Sequence, residues 1–377
     1  MRLIGIEKRR DMKLMTPGPT QVRANVRAAR SKMFCNPDLD PAFYDFYKET
    51  CDLLEKALGA TDHRAFILGG EGILGLEAAC ASLTEPGDRV LVIDNGIFGK
   101  GFQDFVEIYG GEAVLFTTDY LEPVDPEALR AFLSKDSDFK YATMVHCDTP
   151  SGVLNDIEAL SRICDEYGIM VVADSVSAMF GERLNLSAAK IDILCGGSQK
   201  ALSAPPGLTM VWVSQRAFQA MEERQVPIRS FYANLLTMKD YYQDQWFPYT
   251  MPVSDIMGLR MALDNFYADP DVYDRHERVA RATRKAVKEM GLSLYLRRGM
   301  SNTVTVIRVP EGWTDQEIIG KMRKDYGIQI AGCFDYLAGK VIRIGHMGES
   351  CNMEDVQQTL RALGDIIGES GNSRQAG

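Results

Sequence analysis

Ile191-Asp192-Ile193-Leu194-Cys195-Gly196-Gly197-Ser198-Gln199-Lys200-Ala201-Leu202-Ser203-Ala204-Pro205-Pro206-Gly207-Leu208-Thr209-Met210-Val211-Trp212-Val213 is the stretch that decides how this chain folds. Two apolar strand candidates, Ile191–Cys195 and Leu208–Val213, are joined by about a dozen residues that include Pro205-Pro206. A parallel crossover needs that many residues or more and usually a helix, so the second strand reads as antiparallel. Upstream, five further candidates precede it: Ala65–Leu68, Arg89–Ile93, Ala113–Phe116, Tyr141–His146 and Ile169–Ala173. Amphipathic stretches lie between them, such as Asp156–Tyr167 with Ile157, Leu160, Ile163 and Cys164 on one face. Strands alternating with helices predict an α/β fold, a seven-stranded, mostly parallel sheet flanked by helices on both faces.

Beyond Pro252 the texture changes. A long helical stretch, Asp274–Met290, leads to strand-like Thr303–Val309, a charged helix Gln316–Tyr326 and a strand at Val341–Ile344. This predicts a large catalytic α/β domain over 15–255 and a smaller C-terminal α+β domain over 256–377, with residues 1–14 packing near the latter. The length of 377 residues suits two domains. The Gly/Ser-rich tail Glu369–Gly377 reads as frayed.

Composition narrows the function. With 42 Lys+Arg against 52 Asp+Glu the net charge is −10, which argues against nucleic acid or an anionic membrane as partner. The longest basic cluster, Glu7-Lys8-Arg9-Arg10, is too short to change that. No run approaches the roughly 18 apolar residues of a membrane span, and no signal-peptide pattern opens the chain, so a cytoplasmic protein is expected. Eight scattered cysteines without a Cys-x-x-Cys pair, and four histidines, predict neither a metal site nor a disulfide framework.

Gly70-Glu71-Gly72-Ile73-Leu74-Gly75 matches G-x-G-x-x-G between a strand and a helix, and Asp94 follows about 20 residues on. That is formally a dinucleotide fingerprint, so a nicotinamide-dependent oxidoreductase stands as a rival reading. The same turn could hold any anionic or polar group on its backbone N–H groups, or no ligand at all.

Three motifs fall at the C-terminal ends of successive strands, where open α/β sheets bind ligands. They are His146-Cys147-Asp148-Thr149-Pro150-Ser151-Gly152, Val171-Val172-Ala173-Asp174-Ser175-Val176-Ser177, and the loop from Gly196 to Gly207. An Asp at a strand end and a Lys about 26 residues later suit pyridoxal chemistry. The lysine amine forms an imine with the aldehyde, and the carboxylate keeps the pyridine nitrogen protonated.

With these motifs, Thr16-Pro17-Gly18-Pro19, Asn95-Gly96-Ile97-Phe98-Gly99 and Arg343-Ile344-Gly345, the chain resembles the class V aminotransferases of pyridoxal-phosphate fold type I over nearly its whole length. The Ser198–Gly207 loop is similar to that of the alanine–glyoxylate and serine–pyruvate aminotransferases. The resemblance implies an aminotransferase that moves an amino group to pyruvate or glyoxylate through a Lys200 imine, with pyridoxal 5′-phosphate as cofactor. It also implies a homodimer with a shared site, or a tetramer.

Residue by residue, Lys200 would form the imine and carry the proton, and Asp174 would pair the ring nitrogen. Phe98 would stack on the ring, and Thr149 would bond its 3-oxygen or the phosphate side. Glu71, Gly72, Ile73, Val176 and Gln199 would complete the cofactor cup. Thr250 would reach the neighbouring subunit's phosphate, with Phe247 where many relatives have Tyr. Arg343 and Gly18 would hold the substrate carboxylate. Each has a plainer reading: Asp174 as a helix cap, Phe98 as packing, Thr149 and Gln199 as turn residues, Arg343 as a surface ion pair.

Glu71 departs from the family's Ser/Thr-type phosphate donors. A carboxylate about 6 Å from a phosphate dianion is repelled by roughly 5 kcal/mol at an effective dielectric near 20. Glu71 therefore points away, is protonated, or faces no phosphate. Together with Asp148–Gly152, Ala204–Met210 and Arg343–Gly348, this stretch is similar to the pyridoxamine–pyruvate branch of the family. There unphosphorylated pyridoxamine is a substrate and no pyridoxal phosphate is held. A second carboxylate-binding Arg, expected nine residues before Arg343, is replaced by Phe334. The acidic loop Asn36–Pro41 is read as a contact for a basic or hydroxylated donor.

Overall fold

The computed structural model describes residues 12–32 and 35–374. Its first long helix is α1 (Pro41–Ala57), capped by Asp40, whose side chain accepts from the Ala42 N–H. The main sheet has seven strands: β1 (His63–Gly69), β2 (Arg89–Asp94), β3 (Glu112–Thr117), β4 (Tyr141–Val145), β5 (Met170–Asp174), β6 (Ile193–Gly197) and β7 (Leu208–Ser214). In space they run β1-β7-β6-β5-β4-β2-β3. Strand β7 is antiparallel to both neighbours, with Leu208 opposite Gly69 and Thr209 opposite Gly197. The other pairings are parallel. All seven expected strands are present, and the Pro-Pro loop turns the chain back as read.

Strands β4 to β7 are buried along their whole length, which is why they read as unbroken apolar runs. Helices cover both faces. Among them are α2 (Gly72–Leu83), α3 (Ile97–Ile108) and α4 (Ile157–Glu166). A Cβ at Gly75 would stand 2.4 Å from the Thr209 hydroxyl, so this glycine serves the close packing of α2 on β7.

Helix α5 (Val253–Tyr267) lies across the division expected at 255/256, and Ile256, Leu259 and Leu263 join the large core. A second core forms around α6 (Val272–Glu289), β8 (Val304–Arg308), α7 (Asp315–Tyr326), β9 (Val341–Gly345) and α8 (Met353–Arg374). Strands β8 and β9 pair antiparallel, and α7 opens with a Thr314/Glu317 capping box. The start of the chain belongs here too. Lys13–Leu14 pairs with Ile328–Gln329, and Met15 is buried in the second core. The basic cluster Glu7–Arg10 lies outside the described residues, as do 375–377. Helix α8 runs through Arg374, so most of the tail read as frayed is helical. Among the described residues no helix is long and apolar enough to cross a membrane.

Candidate active site

The parallel strands bring the loops after β1, β2, β4, β5 and β6 to one edge of the sheet. A cavity of about 190 Å³ opens there. Ten of the residues singled out from sequence line it: Gly18, Glu71, Gly72, Ile73, Phe98, Thr149, Asp174, Val176, Gln199 and Lys200. Pro19, Leu76 and Ser177 line it as well and were missed. Leu76 could have been found by helical spacing, since it follows Gly72 by one turn on α2.

Lys200 lies over the Thr16–Pro19 turn, and its Nζ donates to the Pro17 carbonyl at 2.7 Å. Gly18 holds φ at +104°, and a Cβ there would sit 2.5 Å from Lys200 Cδ, so only glycine leaves room for the lysine. Burial lowers the Lys200 ammonium to about 8, which leaves a usable fraction of neutral amine near neutral pH. Asp174 ends β5 and is 5% exposed. Burial pushes its carboxyl up to about 7, and the carboxylates of Asp148 and Glu71 push the same way. The Val176 N–H, which donates to Asp174 at 2.8 Å, and the Lys200 ammonium oppose the rise. The aspartate thus braces its own turn and also faces the cavity. Such a carboxyl is matched by a ligand N–H that carries positive charge.

Phe98 sits on the first turn of α3, with its N–H donating to buried Asp148 at 3.0 Å. Gly96, at φ +146°, lets the loop close on that carboxylate, since a Cβ would stand 2.5 Å from Asp148 Cγ. A Cβ at Gly72 would meet Val176 at 2.7 Å, so the start of α2 is pressed against the cavity's Val176 wall.

Glu71 turns inward along its own helix. It is the N-cap of α2, and one carboxylate oxygen accepts from the Ile73 N–H at 3.1 Å. The other accepts from the Gln199 amide at 3.3 Å, a contact that also fixes which way the amide faces. The N-terminus of α2, the natural seat for an anion, is therefore already engaged by a carboxylate.

Arg343 and Thr250 lie off the cavity wall. Arg343 is buried on β9 and donates to the carbonyls of Gly332 at 2.7 Å and Thr149 at 3.3 Å. It touches the site through the backbone of a residue that lines it. Thr250 is exposed and donates to Asp38 at 3.0 Å. Phe247 is buried in an aromatic cluster, stacked on Tyr44 with centroids 4.8 Å apart. In the acidic loop, Asp38 and Asp40 serve Thr250 and the α1 cap, and neither lines the cavity. The dinucleotide reading loses its acidic partner: Asp94 is 3% exposed and accepts from the hydroxyls of Thr117 and Tyr120, leaving no carboxylate to meet a ribose.

The aminotransferase class-V family matches residues 25–358. An uncharacterized aminotransferase of Methanocaldococcus jannaschii is 34% identical over 377 residues, covering 95% of each chain. The pyridoxamine–pyruvate transaminase of Mesorhizobium japonicum is 34% identical over 345 residues, covering 90% of this chain and 88% of that one. The crystal structure of a pyridoxamine–pyruvate aminotransferase from Mesorhizobium loti superposes with a TM-score of 0.92 at 32% identity, covering 97% of this chain and 94% of that chain.

Proposed function

This chain belongs to the class V aminotransferases, and we propose that it moves the amino group of unphosphorylated pyridoxamine onto pyruvate, giving pyridoxal and alanine. Membership of this class implies pyridoxal phosphate as cofactor. The residues around the cavity suit the pyridine ring of that group and not its phosphate. Lys200, Asp174, Phe98, Thr149 and Val176 supply an amine, a carboxyl, an aromatic face, a hydroxyl-bearing residue and an apolar wall. At the other end Glu71 takes the Ile73 N–H for itself. That observation carries the reading.

A phosphate dianion beside Glu71 would meet repulsion of roughly 5 kcal/mol and would compete for a donor already used. The hydroxymethyl group of pyridoxamine is an O–H donor, which a carboxylate accepts. The pyridine ring draws electrons when its nitrogen is protonated, and Asp174 is the residue to hold that proton. The lowered Lys200 amine would take the proton from the carbon that bears the amino group and return it to C2 of the acceptor. Arg343 would pair the acceptor's carboxylate with its uncommitted Nη2, and Gly18 would leave the space for it.

A homodimer completes the proposal. Phe231, Tyr232 and Trp246 are 62%, 57% and 52% exposed, and Tyr232 stacks on Tyr249 at 4.4 Å, beside Thr250. A second copy would cover these rings and receive Thr250 at its own cavity.

The test is an absorbance spectrum of extensively dialysed protein, repeated with pyridoxal and with pyridoxal phosphate. Colourless protein that turns yellow with pyridoxal and barely with the phosphate is expected, with the colour erased by borohydride and absent in Lys200→Ala. Yellow protein that keeps pyridoxal phosphate through dialysis would overturn the reading.

A further inference from the structure

Lys200 is held at both ends by one short stretch of chain. Its Nζ donates to the Pro17 carbonyl at 2.7 Å, and its main-chain carbonyl accepts from the Thr20 hydroxyl at 3.0 Å. The Thr20 N–H donates to the Gln199 carbonyl at 3.1 Å. A shift of the lysine main chain against Thr20 would therefore also shift its amine against Pro17. Thr20 is buried, and its hydroxyl stands 3.1 Å from that of Ser203, buried as well. Neither residue lines the cavity, so neither hydroxyl is there to meet a ligand.

The Ser203 oxygen accepts from the Glu349 N–H at 2.9 Å. The carbonyls of Lys200 and Gln199 only accept, so the Thr20 proton goes to that side and Ser203 supplies the proton between the two hydroxyls. A one-way chain results: Glu349 N–H to Ser203, Ser203 O–H to Thr20, Thr20 O–H to the Lys200 carbonyl. In a buried chain each bond polarises the next. Ser203 also holds φ at +57°, a left-handed backbone uncommon outside glycine, and its N–H donates to the same Lys200 carbonyl at 2.9 Å. Such a conformation persists only where its surroundings hold it. The far end of the chain is anchored in the loop after β9. Arg23 pairs with Glu349 at 2.6 Å, the Ser350 hydroxyl donates to the Leu14 carbonyl at 2.7 Å, and the Gly348 N–H donates to His276 Nε2 at 3.1 Å. Met347 is buried in the large core and Cys351 in the second.

We infer that Thr20 and Ser203 are positioning residues for Lys200: acting as one chain, they set the lysine main chain against the Pro17 turn, so that its amine serves as nucleophile and as proton carrier from one place. The inference rests on the transamination reading and holds whichever aldehyde the lysine takes.

The experiment measures kcat and the KM for pyruvate, and the rate at which the protein turns yellow with pyridoxal or pyridoxal phosphate, whichever gives colour. The variants are Thr20→Val, Thr20→Ser, Ser203→Gly and the double variant T20V/S203G. Thr20→Val keeps the shape without the hydroxyl, and Ser203→Gly removes the other hydroxyl while suiting the left-handed backbone. Thr20→Val should lower kcat and the yellowing rate about tenfold, since a displacement of about 1 Å can cost up to 10²-fold, with KM changed by less than about twofold. Thr20→Ser should return both rates to within about threefold of wild type. Ser203→Gly should cost about three- to tenfold, and the double variant should lose less than the product of the two singles by about threefold or more, because its second cut falls on a chain already broken. Urea midpoints verify that each variant folds. Folded Thr20→Val with wild-type kcat, a loss confined to KM, or no rescue by Thr20→Ser overturns the inference while transamination stands, and so do single losses that multiply in the double variant. Where Thr20→Val does not fold, wild-type kcat in Ser203→Gly overturns it. Wild type that forms no imine and moves no amino group removes both readings.

Discussion

The two ends of the cavity hold carboxylates of opposite character. Asp174 is 5% exposed at the end of a central strand, and burial holds its carboxyl near 7. Glu71 is exposed at a helix start, and a backbone N–H and the Gln199 amide hold its oxygens. The first is set by the sheet, because any residue at that strand end is buried among β4, β5 and β6. The second is set by one turn residue and the amide that faces it. On the proposed reading the buried end would carry the chemistry shared across the fold, and the turn what is particular to this chain. A change of one residue in the turn can alter which ligand is held without disturbing the proton chemistry.

The comparison breaks most visibly at Lys200. Lys200→Ala should lower amino transfer by about 10³-fold or more, since the nucleophile and the proton carrier are lost together. Stopped-flow absorbance and turnover should both register it. Retention of transfer would mean that the buried end is not where the chemistry occurs. At the other end, Glu71→Thr should raise affinity for pyridoxal phosphate relative to pyridoxal by about 10- to 10³-fold. The upper figure corresponds to most of the repulsion at the cavity, and solvent screening of this exposed carboxylate sets the lower. Titration of both aldehydes by absorbance measures it. An unchanged ratio would mean that Glu71 does not select against phosphate.

The same contrast governs what could be read from sequence. The central strands were legible because buried strands leave unbroken apolar runs, β3 kept an apolar run at the half-buried edge of the sheet, and the turn-back at β7 was legible from the short linker that holds Pro205-Pro206. The same runs placed two of the candidate residues: Asp174 is the last residue of β5, and Lys200 follows the end of β6 by three residues. Less was legible wherever a side chain's direction decides its role. Asp94 sits where a ribose-binding acid would, and only the fold reveals that Thr117 and Tyr120 hold it inward. For Glu71 three readings stood open in sequence, turned away, protonated or facing no phosphate, and its capping of α2 was visible only in the fold. The texture change after Pro252 suggested a domain start, yet Leu259 and Leu263 on α5 face the large core. Pro19 and Ser177 reach the cavity by loop paths that have no periodicity to follow.

Asp174 offers a test by pH. Its carboxyl is raised in the folded chain, so its contribution to stability is fully present below the ordinary carboxylate range and is lost as pH rises through about 7. A rise of about 3 units corresponds to about 4 kcal/mol at most, and opposition from Lys200 is already contained in it. Asp174→Asn lacks this loss. Its stability relative to wild type should therefore climb by about 2–3 kcal/mol between pH 5 and pH 8, the rest of the loss falling below pH 5, read from urea midpoints of ligand-free protein. A constant difference between the two proteins would show that the carboxyl is not perturbed.

Gln199 carries the smallest effect and the sharpest distinction. Its amide lies 3.3 Å from Glu71, a long contact on a partly exposed pair, so its loss should matter by only about three- to tenfold. Gln199→Leu frees one carboxylate oxygen of Glu71, allows the side chain to swing from the helix start, and should relax the exclusion of pyridoxal phosphate by that factor. Gln199→Glu should act in the opposite direction. It sets a second carboxylate against the first and adds repulsion toward a phosphate. If both variants shift phosphate affinity the same way, Gln199 merely fills space beside the cavity. Opposite signs, with pyridoxal binding little changed in either, would establish that the amide fixes Glu71 and that the turn, independently of the buried end, decides which ligand is held.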